Sequence, residues 1–326
     1  MELRTFRDAD LPGVAALLAA ALPYDQPSAE YVRYLLYDDP GFDPQLIWVA
    51  DAGTDGAAGA AGAAKTNGTE SGHVAGVVVA ALPDERLQCP GGVKLFAVAA
   101  SHRRRGIATR LFDLAEDALR VRGVTQCVAV NCGHNRLTLG LDVRHTAALC
   151  LLLERGYEQT GTTQDMAVDL EGPGAPDLAT DADEARLKAT GMIVRRARPD
   201  EQRWVCDGVE RVMVAPTPGR RWAYLAAQAF RRNPPTIEVA ADAGSGAFLG
   251  FAAYDAARWG ALGPMGVSPA ARHAGLGSVL LKRCLRDMQA DGYQRGEIFS
   301  VGPIPFYAQT VCAHISRVYY RYTKRL

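Results

Sequence analysis

The sequence predicts an α/β protein made of two tandem domains, and three observations predict it. At 326 residues the chain is about twice the size of a common single domain. Short strand-like apolar runs alternate with longer segments of helical period. One stretch is present twice. From Gly263 to Tyr293 an apolar run ends at Val267, a polar turn holds Ser268 and Pro269, and Arg-x-x-Gly-x-Gly opens an amphipathic helix. Val98, Arg103, Gly106, Ala108 and Gly123 match Val267, Arg272, Gly275, Gly277 and Gly292, each pair 169 residues apart. Five matches in one strand–turn–helix context identify an internal duplication.

Taken in order, Glu2 to Phe6 reads as a strand, and Asp8 or Asp10 as the cap of a helix with Pro12 in its first turn. Val14, Leu17, Leu18 and Leu22 form the apolar side of that helix. A second helix is expected from Ser28 to Tyr37 and a strand from Leu46 to Ala50. Ala52 to Gly72 is mostly Gly, Ala, Thr and Ser with no aromatic residue, which predicts a flexible hairpin loop. Strands follow at Val74 to Leu82 and Gly92 to Ala100. The helix after Arg103 turns Ile107, Leu111, Phe112, Leu114, Ala115 and Ala118 to a core, and Gly123 stops it. Val124 to Val130 is a strand, Val143 to Arg155 a helix, and Tyr157 to Leu170 two strands about Gly161.

The first domain is therefore expected over residues 1–170. A linker and bridging helix occupy 171–191, with Gly172, Pro173, Gly174 and Pro176 marking the break and a helix near Asp181 to Thr190. The second domain is expected over 192–326. Its strands are Met192 to Ala197, Thr236 to Ala241, Ala247 to Tyr254, Gly260 to Val267, Glu297 to Val301 and Ile315 to Thr323. Helices lie around Trp222 to Phe230, after Gly277, and around Phe306 to Gln309.

Composition narrows the partners. The 36 basic side chains balance 36 acidic ones, whereas nucleic-acid and membrane-surface binders usually carry a basic excess. The run His102-Arg103-Arg104-Arg105 does suggest a nucleic-acid patch, but net neutrality argues against one. The seven Cys form no C-x-x-C pair and fall mostly in apolar runs, as expected of buried thiols in a reducing compartment. No signal-peptide pattern opens the chain, and no apolar run nears the ~20 residues of a membrane span. A cytoplasmic protein without bound metal is expected.

Two glycines and a cation between a strand and a helix make a seat for an anion. Backbone N–H groups approach a ligand where no Cβ intervenes, and first-turn N–H groups lack helical partners. The duplicated Val-x-x-x-x-Arg-x-x-Gly-x-Gly/Ala context resembles the acetyl-CoA-binding core of the GNAT acetyltransferase superfamily. Its tandem bacterial type, similar in layout to mycothiol synthase, covers nearly the whole chain. The resemblance implies two twisted mixed sheets flanked by helices, with acetyl-CoA as donor. Arg103, Arg104, Arg105, Gly106, Ile107 and Ala108 would cradle its pyrophosphate in the first domain. Arg272, His273, Ala274, Gly275, Leu276 and Gly277 would do so in the second. A backbone N–H near Val98 or Val267 would polarise the acetyl carbonyl in a wedge between two splayed strands.

In many family members a Tyr on the helix after the fifth strand protonates the leaving thiolate. Phe306-Tyr307 matches that position, with Cys312 where Gly is usual, so Tyr307 is the expected catalytic acid. The first half has Leu152 there. It is therefore expected to bind CoA without this chemistry; Asp142 and His145 could still supply an acid or base there, but the favoured expectation is that they cap a helix and face solvent. Any of Glu238, Asp255 and Glu297 could reach the site directly or through water, but each is read as a surface carboxylate, so none is assigned as general base. The reading is an N-acetyltransferase acting on a small-molecule amine, monomeric or homodimeric. The alternative is a CoA-binding sensor or scaffold without turnover.

Overall fold

The computed structural model describes residues 1–53, 74–212 and 219–326. Most of the loop expected from Ala52 to Gly72 lies outside the described residues. The first half contains β1 (Glu2–Thr5), α1 (Leu11–Ala21), α2 (Ala29–Tyr37), β2 (Ile47–Asp51), β3 (Val74–Ala81) and β4 (Gly92–Val98). It continues with α3 (Ile107–Val121), β5 (Gln126–Ala129), β6 (Leu141–Asp142), α4 (Thr146–Glu154) and β7 (Glu158–Asp169). The second half contains α5 (Asp181–Ala189), β8 (Met192–Arg196), α6 (Gln202–Val212), α7 (Gly219–Gln228), β9 (Ile237–Asp242) and β10 (Phe248–Tyr254). After these come β11 (Ala261–Val267), α8 (Leu276–Ala290), β12 (Arg295–Ile298), α9 (Ile304–Val311) and β13 (His314–Arg325).

Two compact units result. The first comprises Met1–Glu85, Cys89–Thr162 and Tyr319–Leu326, and the second Arg86–Gln88 and Thr163–Val318. In the first the strand order is β1-β2-β3-β4-β5-β13, with β6 beside β13; in the second it is β7-β12-β11-β10-β9-β8. All neighbours are antiparallel except β4–β5 and β11–β12, so both sheets are mixed.

Each half contributes its last strand to the other unit. Tyr322, Thr323, Lys324 and Arg325 pair with Ala129, Val128, Cys127 and Gln126 of β5. Met166, Ala167, Val168 and Asp169 pair with Ile298, Glu297, Gly296 and Arg295 of β12. The division expected at 1–170 and 192–326 thus differs from the compact units at both ends, because these ladders cross it. A second difference is that Tyr157 to Leu170 is one strand rather than two: β7 runs through Gly161, whose missing Cβ leaves room for the Arg321 side chain. The pair β6 and the helix α6 were not singled out from the sequence.

Local chemistry explains the elements that frame the site. Ser28 caps α2 by accepting from the Tyr31 N–H at 3.1 Å. Asp10 does not cap α1 with its side chain; it accepts from Arg4 at 2.7 Å and from the Arg7 N–H at 2.8 Å. Helix α3 buries Ile107, Leu111, Phe112, Ala115 and Leu119, the one-sided spacing read from the sequence, against Val78, Ala80 and Val93. Helix α8 buries Leu276, Val279, Leu280, Leu281, Leu285 and Met288 against Ala252, Tyr254, Leu262 and Ile298. On the other face of the second sheet, α6 and α7 cover Ile237, Val239, Phe248 and Phe251.

Tyr322 belongs to the core of the first unit together with Trp48 and is only 2% exposed. Tyr322→Ala is therefore expected to cost about 3 kcal/mol through the cavity it leaves. Urea unfolding followed by Trp48 fluorescence, in a variant lacking the other three tryptophans, checks this. An unchanged midpoint would show that the C-terminal strand adds nothing to the first unit.

Candidate active site

Both parallel ladders stop after two registers. Gly92 and Val93 pair with Val128 and Ala129, and β4 then runs on to Val98 without β5. Ala261 and Leu262 pair with Glu297 and Ile298, and β11 runs on to Val267 without β12. The departing strands turn at Val130 (φ 71) and Ser300 (φ 60), both left-handed. A wedge opens in each unit.

The antiparallel partner on the other side fixes which groups face the wedge. Ala99 N–H donates to Ala75 O at 2.9 Å, and Ser268 N–H to Leu249 O at 2.7 Å. The pairs Gly76–Val98 and Gly250–Val267 therefore exchange no bonds of their own. The N–H groups of Val98 and Val267 point away from β3 and β10, toward the open side. The Ser268 Oγ, next to Val267, is buried and has no hydrogen-bond partner among the described residues.

The turn that follows is the same in both units. A 3-10 segment, Ala100–His102 or Pro269–Ala271, precedes an extended Arg103 or Arg272. Arg104 (φ 62) and His273 (φ 66) are left-handed, as are Gly106 (φ 72) and Gly275 (φ 86), which cap α3 and α8. Such residues turn successive N–H groups to one side and form a nest for an anion. Left-handed Arg and His are strained, which is common at ligand sites. A Cβ on Gly106 would meet nothing within 4 Å, so open space lies before the turn. In the second unit a Cβ on Gly277 would make only ordinary contacts, 3.5 Å to Phe306 and 3.8 Å to Val267, which explains why Ala108 fits the equivalent place.

The structure brings the predicted turn residues together, with two refinements. Ile107 and Leu276 are buried in the cores, so only their backbones face the turn. Arg103 is exposed, and its Nε holds Val98 O at 3.1 Å, linking turn and strand.

Tyr307 lies on α9, 7% exposed, with its ring edge-on to Phe306 at 5.0 Å. Phe306 and Val267 both lie close to Gly277, which places α9 at the wedge of the second unit. No hydrogen bond is made by the Tyr307 hydroxyl among the described residues. Burial pushes its pKa up to about 12, so the phenol is fully protonated at neutral pH. Cys312 does stand in a glycine conformation (φ 54, ψ 28) at the end of α9.

Several carboxylates are not where the sequence suggested. Glu238 is 1% exposed beneath α8, bonded to Arg283 at 2.6 Å; desolvation pushes it up to about 7 despite that cation. Asp255 is buried, accepting from Gly260 N–H and Tyr293 OH and paired with Arg232 at 3.0 Å. Glu297 accepts from Ser316 at 3.2 Å and meets Arg295 at 3.2 Å. Glu238 and Asp255 are thus buried ion-pair partners rather than surface groups, while Glu297 stays partly exposed. Asp142 is likewise buried rather than solvent-facing, held by Arg144, and His145 leads into α4 without a side-chain cap while stacking edge-on with Tyr24. Cys89, Cys127, Cys132 and Cys284 are buried as expected, but Cys150 and Cys312 are exposed.

The first unit differs around its wedge in a way that sequence reading missed. Leu152 is fully buried where an acid would be needed. Sixteen residues separate β5 from α4, against five between β12 and α9. That longer segment places His134 between Asp39 (2.8 Å) and Asp84 (2.9 Å). Asp39 also accepts from the His134 and Asn135 N–H groups and from Lys94, 3% exposed on β4. Burial opposes the Asp39 charge, but these donors and Lys94 hold its pKa well below the usual range. Burial also lowers that of Lys94. The equivalent of Lys94 in the second unit, 169 residues on, is Gly263, so no such network forms there. That substitution was the signal available in the sequence.

Paired wedges, each ending on an anion nest at a helix start, define an acyltransferase-type fold in two copies. The family model for the acetyltransferase (GNAT) family matches residues 14–138 and 204–308, and the chain belongs to that family. No curated protein matches it in sequence. Among solved structures, the GCN5-related glucosamine N-acetyltransferase region of a fungal multi-domain GH3 β-N-acetylglucosaminidase superposes with TM-score 0.74 at 16% identity over 99% of this chain; the chain spans 38% of that longer protein. A GCN5-related N-acetyltransferase from Sphaerobacter thermophilus gives 0.66 at 20% identity, covering 99% of this chain and 95% of the other. A tandem GNAT protein from the clavulanic acid biosynthesis pathway gives 0.66 at 17%, covering 99% and 98%. The tandem GNAT fold expected from the duplication is thus confirmed. No metal-binding cluster of His, Cys, Asp or Glu occurs among the described residues, and no described helix is long and apolar enough to cross a membrane.

Two outcomes follow. Cys312→Gly relieves a left-handed non-glycine residue and is expected to stabilise by about 1 kcal/mol, read as a higher urea midpoint. A lower midpoint would mean the Cys312 side chain contributes more than its backbone costs. The raised pKa of Tyr307 makes stability fall as pH climbs from the unfolded value near 10 through about 12, because only the unfolded phenol ionises in that window. Relative to Tyr307→Phe, the wild-type midpoint should decline between those pH values; parallel pH profiles would place the hydroxyl in solvent.

Proposed function

We propose that the protein is an acetyl-CoA-dependent N-acetyltransferase whose second unit transfers the acetyl group to a primary amine of a small molecule. The observation that supports this most is the convergence, in one unit, of an open wedge, an anion nest and a buried protonated phenol. Arg272 to Gly277 hold the donor's pyrophosphate, and the Val267 N–H meets the acetyl oxygen. The neutral amine attacks the carbonyl carbon, forming the C–N bond and an oxyanion against that N–H; the oxyanion then collapses, the C–S bond breaks, and the new amide nitrogen loses its extra proton to water. Tyr307 gives its proton to the departing thiolate. The phenol is protonated at neutral pH and so has a proton to give as the thiolate leaves.

The first unit is read as binding the same donor through Arg103 to Ala108 without turnover. Its buried Leu152 offers no proton, and the Lys94–Asp39–His134 network occupies the side of β4 turned toward α2. Sensing or scaffolding by the whole chain is the rival reading.

Tyr307→Phe tests the assignment. Release of free CoA thiol, assayed over a panel of amines, should fall about 100-fold in kcat while donor affinity is retained. An unchanged kcat would remove Tyr307 from the mechanism. Tight acetyl-CoA binding by the wild type with no thiol release from any amine would favour the sensor.

A further inference from the structure

We propose that Arg186, on the bridging helix α5, is a pyrophosphate ligand of the second unit's cradle, supplying from outside the turn a charge that the turn lacks. This rests on the acyl-CoA reading above. The two turns share a backbone but not a charge: Arg103-Arg104-Arg105 in the first becomes Arg272-His273-Ala274 in the second. Two cations are lost, one of them replaced by an imidazole. The surroundings differ in the opposite sense. Nothing lies within 4 Å of a Cβ built on Gly106, whereas the Arg186 guanidinium nitrogen Nη2 lies 3.3 Å from a Cβ built on Gly275.

Helix α5 is anchored so as to present that side chain. Leu187, 2% exposed, packs in the core that holds α8. Glu184 accepts from Arg283 of α8 at 2.9 Å, and Thr180 Oγ1 from Arg286 at 3.3 Å. Arg186 itself is 62% exposed, and its partner is Asp183, three residues back on the same helix, at 2.6 Å. An exposed pair of this kind holds a side chain weakly. A guanidinium has five donors in a planar fork and matches phosphate oxygens two at a time, so it has capacity to spare beside the nest. Gly275 caps α8, and the pyrophosphate reading places the diester oxygens at that helix start, within reach of Arg186.

Calorimetric titration of the full chain tests this, in a Gly106→Val background that blocks the first cradle with a β-branched residue in a left-handed position. Arg186→Ala should weaken both acetyl-CoA and its dephospho analogue about tenfold. It should also flatten the dependence of affinity on ionic strength, which a purely structural role would not do. Arg186→Lys should recover part of the loss, and Asp183→Asn, which releases the guanidinium, should tighten binding about two- to threefold. Unchanged affinity in Arg186→Ala overturns the inference, as does a loss with an unaltered salt slope. A loss for acetyl-CoA but not for the dephospho form overturns the pyrophosphate contact, placing Arg186 on the 3′-phosphate. If the Gly106→Val protein with Arg186 intact binds neither ligand, it is the acyl-CoA reading of the second unit that fails.

Discussion

The site depends on a parallel ladder that ends early. β4 and β5, and likewise β11 and β12, share two registers and then separate, while β4 and β11 remain bonded to their antiparallel partners. The strands beyond that point keep backbone donors on their open side, and backbone N–H groups removed from water require partners. An extended ligand with amides of its own can fill the wedge as another strand would, placing a reactive group against Val98 or Val267. The nest sits at the end of the same strand, so one interruption of hydrogen bonding sets both the open backbone donors of the wedge and the position of the anion seat beside them.

Keeping that interruption open requires rigid walls. Helices α3 and α8 anchor the nests through Ile107 and Leu276, whose side chains point into the cores while their backbones complete the turn. The outer wall of each sheet is contributed by the other half of the sequence, β13 beside β5 and β7 beside β12. Lys324, for example, reaches Glu116 of α3 at 2.7 Å, so the C-terminal strand supports the first unit's helix as well as its sheet. The halves of a duplicated gene product are thus not the units that fold around each wedge.

Duplication preserved the cradle and let the rest diverge. The left-handed pairs Arg104/Gly106 and His273/Gly275 have nearly the same angles, although only the glycines recur in sequence. Around them the units parted. A buried lysine with a carboxylate and a histidine flanks the first wedge; glycine and a short connection to α9 flank the second. Removing one member of a buried charged group leaves the others uncompensated, so the Asp39–Lys94–His134 arrangement is hard to dismantle piecemeal.

The repeat, the helix starts and the glycine turns were legible in the sequence because each rests on local chemistry: period, capping and left-handed backbone; Tyr307 was singled out only through the family resemblance. The burial of Ile107 and Leu111 followed from spacing alone. The exchange of β7 and β13 was not legible, since a strand's own residues specify that it pairs but not with which edge. Nor was the fate of the carboxylates: Glu238 and Asp255 look like surface residues until tertiary packing supplies Arg283 and Arg232. Arg186 is the same case. Its sequence context is an ordinary charged helix, and only the docking of α5 on α8 brings it to Gly275. What the sequence by itself determined is that the chain holds the same strand–turn–helix twice, each turn with a glycine at a helix start; which charges and walls surround each turn was decided by contacts between residues far apart along the chain.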